Sequence, residues 1–560
     1  MSEELPTAPD EHPSEKSLHT HSDLERADSE LIEQSPYIPV HDDPSTYLHG
    51  AQFWLVSASI AIMMFLTNLE VPVVITALVA ITEDLGGFDN VGWIVASYLL
   101  GYVAVIVICA KLSDIFGRKS VFQLFIVIFT IFSAACSASQ TIEQLIIFRA
   151  FQGVGGGGCF SLCTIMVMEI VPPTSYTQYV SNISITNALA LLLGPIIGGA
   201  IASTISWRWI FIINVPIAVA ALIIACYAIP PDFPFQGQPK PPLESEKVSK
   251  FSTLKRIDFP GTILLLVATV SLSAAFEEAD KLFPWKSAYV ITLLAASGVF
   301  WISLLLWEWH VTKKSSVREP ILPWRCLTNR QMMGILLNFI LLGGPTIIGM
   351  FIIPQKFQLV YNTTGLGAGV RLIPFTLALP LGTIFASKVA GIFKFPPLYL
   401  LFIGSSLQII GFALLGTLPS SGNTSIPSEI YGYEIIAGWG CGMNFTLLFV
   451  MIPFITEKRD LAVGMGAAAQ FRMIGSSTVL AICTSVFNSY ARPRLLEAVG
   501  FSDINFLIGG SLGSLPQELQ NQIRLTLSEG YNRQFLVLSI SAGLQILASI
   551  LMWRKKQLVI

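Results

Sequence analysis

Long apolar runs separated by short polar breaks fill the chain from residue 51 almost to its end. A hydrocarbon core about 30 Å thick needs about 20 apolar helical residues to cross it. Runs of this length occur at 53–78, 91–110, 120–138, 143–169, 180–203, 209–229, 259–279, 288–309, 332–354, 366–387, 396–416, 430–454, 463–487 and 534–553. Backbone polar groups must be satisfied internally in lipid, so such runs read as transmembrane helices. The pattern predicts an all-α polytopic membrane protein with fourteen crossings and both termini on one side. The expected division is a 51–229 six-helix bundle, a 230–258 linker, inserted helices at 259–310, a 311–331 loop and a second six-helix bundle at 332–553. A long outer segment, 488–533, is expected to carry a short amphipathic helix at 516–529, and 554–560 forms a tail.

Charge sets the orientation. Lys111, Arg118, Lys119, Lys240, Lys247, Lys250, Lys313, Lys314, Arg325, Arg330, Lys388, Lys394, Lys458 and Arg554 fall on one alternate set of loops. Basic loops face the cytosol, which puts both termini there. The plasma membrane is expected, with a vacuolar or vesicle membrane as the alternative. Two glycosylation sequons, at Asn362 and Asn423, lie in loops of the opposite side, whereas Asn182 and Asn444 match the same pattern inside spans.

Composition agrees: 53% of the 560 residues are hydrophobic and 12% charged, against about a quarter charged in soluble domains. Residues 1–50 are acidic and hold five of the six histidines. Such a segment buries too little to offset its ordering entropy and reads as a disordered cytosolic tail rather than a metal site. It lacks the charged-then-apolar order of a cleaved signal. The eight cysteines sit mostly in apolar runs without ligand spacing and read as small apolar fillers.

Enzyme chemistry finds little support. His310 is the one histidine beyond the tail, and neither H-E-x-x-H nor G-x-x-x-x-G-K-[ST] occurs. The tract Gly153–Gly158 satisfies G-x-G-x-x-G, but a dinucleotide site needs a preceding strand. No cofactor, metal or nucleic-acid partner is expected. A receptor or scaffold fits poorly, because charges inside spans usually mark a polar path.

An internal repeat joins the halves. Ala110-Lys111-Leu112-Ser113-Asp114-Ile115-Phe116-Gly117-Arg118-Lys119 lies between spans two and three, and Ala386-Ser387-Lys388-Val389-Ala390-Gly391-Ile392-Phe393-Lys394 lies between spans ten and eleven. Repeats of this kind are typical of secondary transporters. The 110–119 loop is similar to the inner-loop signature G-x-L-x-D-R-x-G-R-R/K of the major facilitator superfamily, with Ala110 and Ile115 as departures. Arg149–Gly153 looks like that family's fourth-span arginine motif. Gly194-Pro195-Ile196-Ile197-Gly198-Gly199 matches the antiporter core G-P-x-x-G-G, and Trp207–Pro216 resembles the outer entry to span six. Over about 51–553 the chain resembles the fourteen-span drug:proton antiporters, and among them fungal pumps for toxins and secondary metabolites. The resemblance implies a monomeric, proton-coupled exporter of a small, mostly apolar organic compound. An importer, for example of a siderophore chelate, is the alternative.

Candidate chemistry follows from charges in apolar runs. Glu70 and Arg149 are about eight and six residues from the outer ends of spans one and four, hence at similar depth. Glu70 is expected to carry the coupling proton and Arg149 to bias its affinity; the competing reading is a permanent structural ion pair. Asp114, with Lys111, Gly117, Arg118 and Lys119, is expected to cap a helix and latch the halves in one state, against simple anchoring by basic residues. Gly194, Pro195, Gly198 and Gly199 form either a bending point or a close-packed contact. Gln152, Asn187, Asn444, Gln470 and Arg472 either line the cargo path or tie helices together.

Overall fold

The computed structural model describes residues 47–86, 91–172, 175–231, 233–234, 258–280, 283–314, 320–420, 424–457, 460–499 and 516–559. The acidic tail through residue 46, most of the 230–258 linker and Asn423 lie outside the described residues.

Every apolar run folds as helix. We number the crossings α1 (Gly50–Leu85), α2 (Val91–Phe116), α3 (Arg118–Ser137), α4 (Ile142–Glu169), α5 (Tyr176–Thr204), α6 (Arg208–Ala228) and α7 (Phe259–Glu278). They continue as α8 (Ala288–Lys314), α9 (Arg330–Leu359), α10 (Gly367–Gly391), α11 (Pro397–Gly416), α12 (Glu429–Ile455), α13 (Leu461–Val499) and α14 (Gln517–Ile550). Among the described residues, thirteen helices are long and apolar enough to cross a membrane. The fourteenth is α13, whose apolar run is diluted by Gln470, Arg472, Ser476 and Ser477. Below, the terminal face is the end at which α1 begins and α14 ends, and the distal face is the other.

Local chemistry sets the helix starts. Thr141 caps α4 by accepting from the Gln144 amide, Asp258 caps α7 through Gly261, and Asn329 caps α9. A single residue, Gly117, turns the chain from α2 into α3 at φ 89°, a conformation costly for any residue with a Cβ. Pro345 lacks an amide donor, and α9 takes up the fault as a π-turn over Gly344–Ile348.

Two corrections concern the distal ends. The expected 463–487 span runs on to Val499, and 516–529 is no separate amphipathic helix but the first turns of the 34-residue α14. At the same face Arg208 and Trp207 donate to Asp84, and Arg208 also reaches the Ser139 carbonyl at 3.1 Å. The Arg208 hydrogen bond holds the Asp84 carboxyl below its ordinary range.

In the first half α1 packs on α4, α5 and α6, while α4 packs on α2 and α3. In the second, α12 packs on α9, α10 and α11, and α14 on α9, α11 and α13. The halves meet where α5 lies on α10 and α12, and α13 lies on α2 and α4. The α7–α8 pair sits beside this seam, α7 touching both α2 and α13. Val299, Ile302 and Leu306 of α8 are exposed, as suits a surface whose solvent is hydrocarbon.

The glycine tract explains the density of the first half. A Cβ at Gly153 would lie 2.1 Å from the Tyr98 carbonyl oxygen, and one at Gly157 2.2 Å from that of Tyr102. Backbone thus meets backbone along the α2–α4 contact. Overpacking typically costs about 1–3 kcal/mol, and here the obstacle is main chain. Gly157→Ala should therefore lower the melting temperature of purified protein clearly. Gly199→Ala, at a position with open space, should leave it unchanged. Equal melting curves for the two variants would contradict this packing.

Candidate functional site

A polar network lies wholly inside the first half. Arg149 donates from Nη1 to Glu70 Oε2 at 2.6 Å and to Gln152 Oε1 at 2.8 Å, and from Nε to the Ile94 carbonyl at 3.1 Å. Gln152 Nε2 donates to Glu70 Oε1 and to Ser133 Oγ, both at 2.8 Å. Asn214 Nδ2 also donates to Glu70 Oε1. The guanidinium stands 4.3 Å from the Tyr98 ring centroid and 5.6 Å from that of Phe211. Glu70 is 2% exposed, and Arg149 and Gln152 are fully enclosed. Five helices, α1, α2, α3, α4 and α6, thus contribute to one sealed cluster. The structure brings Glu70, Arg149 and Gln152 together, though in a packed interior and not in an open cavity. Asn214 and Ser133 were missed by the sequence reading. Asn214 stood within the Trp207–Pro216 motif, but a neutral side chain gives no charge signal.

A second cluster occupies the terminal face. Arg118 pairs with Asp114 at 2.6 Å and with Glu169 at 2.8 Å, and also donates to Ser113 Oγ. Lys119 Nζ donates to the Cys226 and Ile229 carbonyls, both at 2.7 Å, where a cation suits a helix C-terminus. Lys111 is buried nearby on α2. Here the expectation is corrected in one respect. Asp114 caps no helix, since Gly117 is the N-cap of α3 and no side chain caps it. The Arg118 ion pairs join α2, α3 and α4 of one half. Arg118 is drawn to Glu169 because both carboxylates lie on its own side of the seam.

Several contacts cross the seam near the terminal face. Ser181 and Ser387 share a 2.9 Å hydroxyl hydrogen bond, the Tyr176 and Phe454 rings meet edge-on, and Gly466 faces Ala110. Gln470 Oε1 accepts from the Val107 amide at 3.3 Å. Gly194 and Gly198 hold α5 against α1 at Pro72, Val73 and Thr76, and Pro195 faces Gly369 of α10. A Cβ added at Gly199 would find open space. Close packing therefore accounts for Gly194 and Gly198, within an α5 that stays helical through Pro195.

Deeper in the seam, Met64, Phe160, Thr164, Ile183, Phe445 and Phe449 line a narrow, almost wholly apolar cavity. Arg472 stands over two of its rings, 5.8 Å from the Phe160 centroid and 5.2 Å from that of Phe445. One helical turn beyond Met64 and Ile183, on the same faces, Asn68 donates to Asn187 at 3.1 Å. Arg472, Gln470 and Asn187 thus lie at the interface of the halves. Asn444 does not: it donates to Ser405 and Gln545, each at 2.9 Å, inside the second half. The sequence reading also passed over Glu434 and Lys356, charges in apolar runs that line a small cavity near Tyr361. Lys356 donates to Asn532 at 2.6 Å, whereas neither Glu434 oxygen has a hydrogen-bond partner among the described residues. Among the described residues no group of histidine, cysteine and acidic side chains is placed to hold a metal. Of the two sequons, Asn362 is exposed at the distal face.

Comparison with known proteins places this geometry. A family model described as Major Facilitator Superfamily matches residues 58–480. The chain is 38% identical over 512 residues to "MFS-type transporter FPY5" of Fusarium mangiferae, covering 90% of this chain and 84% of that one. It is 30% identical over 464 residues to "Efflux pump FUS6" of Gibberella fujikuroi, covering 81% and 79%. Among solved structures, the proton:xylose symporter XylE superposes with a TM-score of 0.53 at 14% identity, covering 89% of this chain and 94% of that one.

The sealed pair yields a double-mutant prediction. Removing one partner of a buried ion pair costs about 3–5 kcal/mol, while replacing both by apolar groups is often near neutral. Arg149→Leu should destabilise strongly, and adding Glu70→Leu should recover much of the loss in thermal melts of purified protein. Additive losses would show that the two side chains do not interact.

Proposed function

Because the chain belongs to the Major Facilitator Superfamily, we propose that this non-enzymatic transporter exports a small, mostly apolar organic compound in exchange for protons by alternating access. The observation that carries the coupling is the donor count at Glu70: Arg149, Gln152 and Asn214 all donate to its two oxygens. Three N–H donors suit an ionised carboxylate. A protonated one gives up an acceptor site, and its hydrogen finds an acceptor here only if the Gln152 or Asn214 amide turns its oxygen toward it and so ceases to donate. Proton loading therefore loosens α1 from α4 or α6. Because α1 packs on α5, and α5 on α10, that loosening reaches the seam.

The apolar lining of the narrow cavity between the halves suits an apolar cargo body, for which the cavity must widen, and the names of efflux-pump relatives support export over import. In this reading the terminal face is cytosolic, and the seam contacts at Ser181, Tyr176 and Gly466 close the cytosolic side. The chain acts as a monomer in the plasma membrane. Asn362 carries a glycan on the outer face.

Two measurements test the reading. In proteoliposomes holding an imposed pH gradient and trapped pyranine, a transported compound should speed collapse of the gradient. Glu70→Gln should slow that collapse by about ten-fold or more, within the range expected for loss of a proton-transfer group; an undiminished rate removes Glu70 from coupling. For orientation, glycosidase treatment should shift the mobility of protein from its native membrane, and Asn362→Gln should reduce the shift. Glycan-free wild-type protein would remove this support for the orientation.

A further inference from the structure

The seam holds a buried cation whose charge nothing among the described residues balances. Arg472 is 8% exposed and lies 11 residues past Leu461, the start of α13, roughly 16 Å along the helix and so close to mid-membrane. Charge is most expensive at that depth. Arg149 and Arg118 meet the expense with carboxylates, Glu70 in one case and Asp114 with Glu169 in the other. Arg472 has no hydrogen-bond or ion-pair partner among the described residues, and its Nε is buried without an acceptor. Its neighbours are the faces of Phe160 and Phe445, which are themselves walls of the central cavity. Aromatic faces attract a cation but do not neutralise it and accept no strong hydrogen bonds from its five N–H donors.

A guanidinium left open between aromatic rings matches a planar anionic group attached to an apolar body. We propose that the cargo is an organic acid, whose carboxylate or comparably acidic group pairs with Arg472 while its apolar part rests on Phe160, Phe445, Phe449 and Met64. This deepens the transport reading above, on which it rests, by naming the substrate class. The narrow cavity then belongs to the unloaded protein, with Arg472 as its specificity-determining residue.

The test uses full-length protein in lipid nanodiscs at about pH 7.5, where a carboxylate is ionised. The fluorescent probes are 1-pyrenebutyrate and its neutral analogue 1-pyrenebutanol. Wild-type protein should bind the carboxylate about ten-fold or more tighter than the alcohol, the scale of one charge-assisted hydrogen-bonded pair. Arg472→Gln should bring that ratio to about one while leaving alcohol binding nearly unchanged, and Arg472→Lys should keep part of it, since lysine retains charge without the fork. Equal wild-type affinities, or a full preference surviving in Arg472→Gln, overturn the proposal. The wild-type comparison needs no variant, so misfolding of Arg472→Gln does not blunt it. Binding is read without a gradient, so the two readings separate. Lost carboxylate preference with intact gradient collapse sinks the acid-cargo inference alone. A clear preference in protein that collapses no gradient supports the anion site and counts only against coupling.

Discussion

The cost of placing charge in a medium that cannot solvate it governs this structure. The effective penalty for a buried ion is several kcal/mol even after relaxation, and a domain's whole stability is commonly about 5–15 kcal/mol. An arginine within α4 is therefore tolerated only if the surrounding helices are arranged around it. That arrangement is visible: Glu70 comes from α1, the Ile94 carbonyl and Tyr98 from α2, Ser133 from α3, and Asn214 and Phe211 from α6. Five helices are held in one register because each supplies part of the solvation that Arg149 has lost.

Close approach is the complementary constraint. Hydrocarbon offers no hydrophobic drive between helices, so association in lipid depends on dispersion contacts and hydrogen bonds. Gly153 and Gly157 let α4 reach the α2 backbone, and Gly198 lets α5 reach Val73 and Thr76 of α1. Each half is thereby fastened by main-chain contacts and buried ion pairs. The seam contacts near the terminal face include one hydroxyl pair, one edge-on ring contact, a glycine facing an alanine and the Val107–Gln470 hydrogen bond. A neutral hydrogen bond is worth about 1 kcal/mol net. This asymmetry is what rigid-body rocking of two halves requires.

Much of this was legible in the chain because lipid imposes a length and a polarity on every crossing. The apolar runs marked fourteen crossings, and the charges at Glu70 and Arg149 could be matched in depth by counting residues. Hydropathy failed where helices pass beyond the hydrocarbon: the end of α13 carries Asn488, Arg492 and Arg494, and α14 opens with Gln517 and Glu518, so neither stretch looked like a crossing. Asp114 and Arg118 were singled out together in the chain, and the Gly117 turn between α2 and α3 brings them into an ion pair. Glu169 lies 51 residues from Arg118, and only the fold shows that it sits on the same side of the seam. Asn444 and Arg472 looked alike in sequence, each a polar residue in an apolar run. Which helix face meets which neighbour is decided by packing, and packing turned one inward to Gln545 and the other to the seam.

Arg118, Arg149 and Arg472 then separate by what balances them. Arg118 and Arg149 are each paired with carboxylates from their own half. For Arg472 no such partner is present among the described residues. Two ring faces at 5–6 Å, near the outer limit of cation–π attraction, supply neither counter-charge nor strong hydrogen bonds, and burial of an ion costs several kcal/mol. That cost is borne at the surface where the halves meet, beside a cavity lined with aromatic rings. A binding partner that supplied negative charge there would lower the energy of the closed seam, whereas a neutral one would not. The same deficit that destabilises the empty protein thus becomes selectivity when the site is filled.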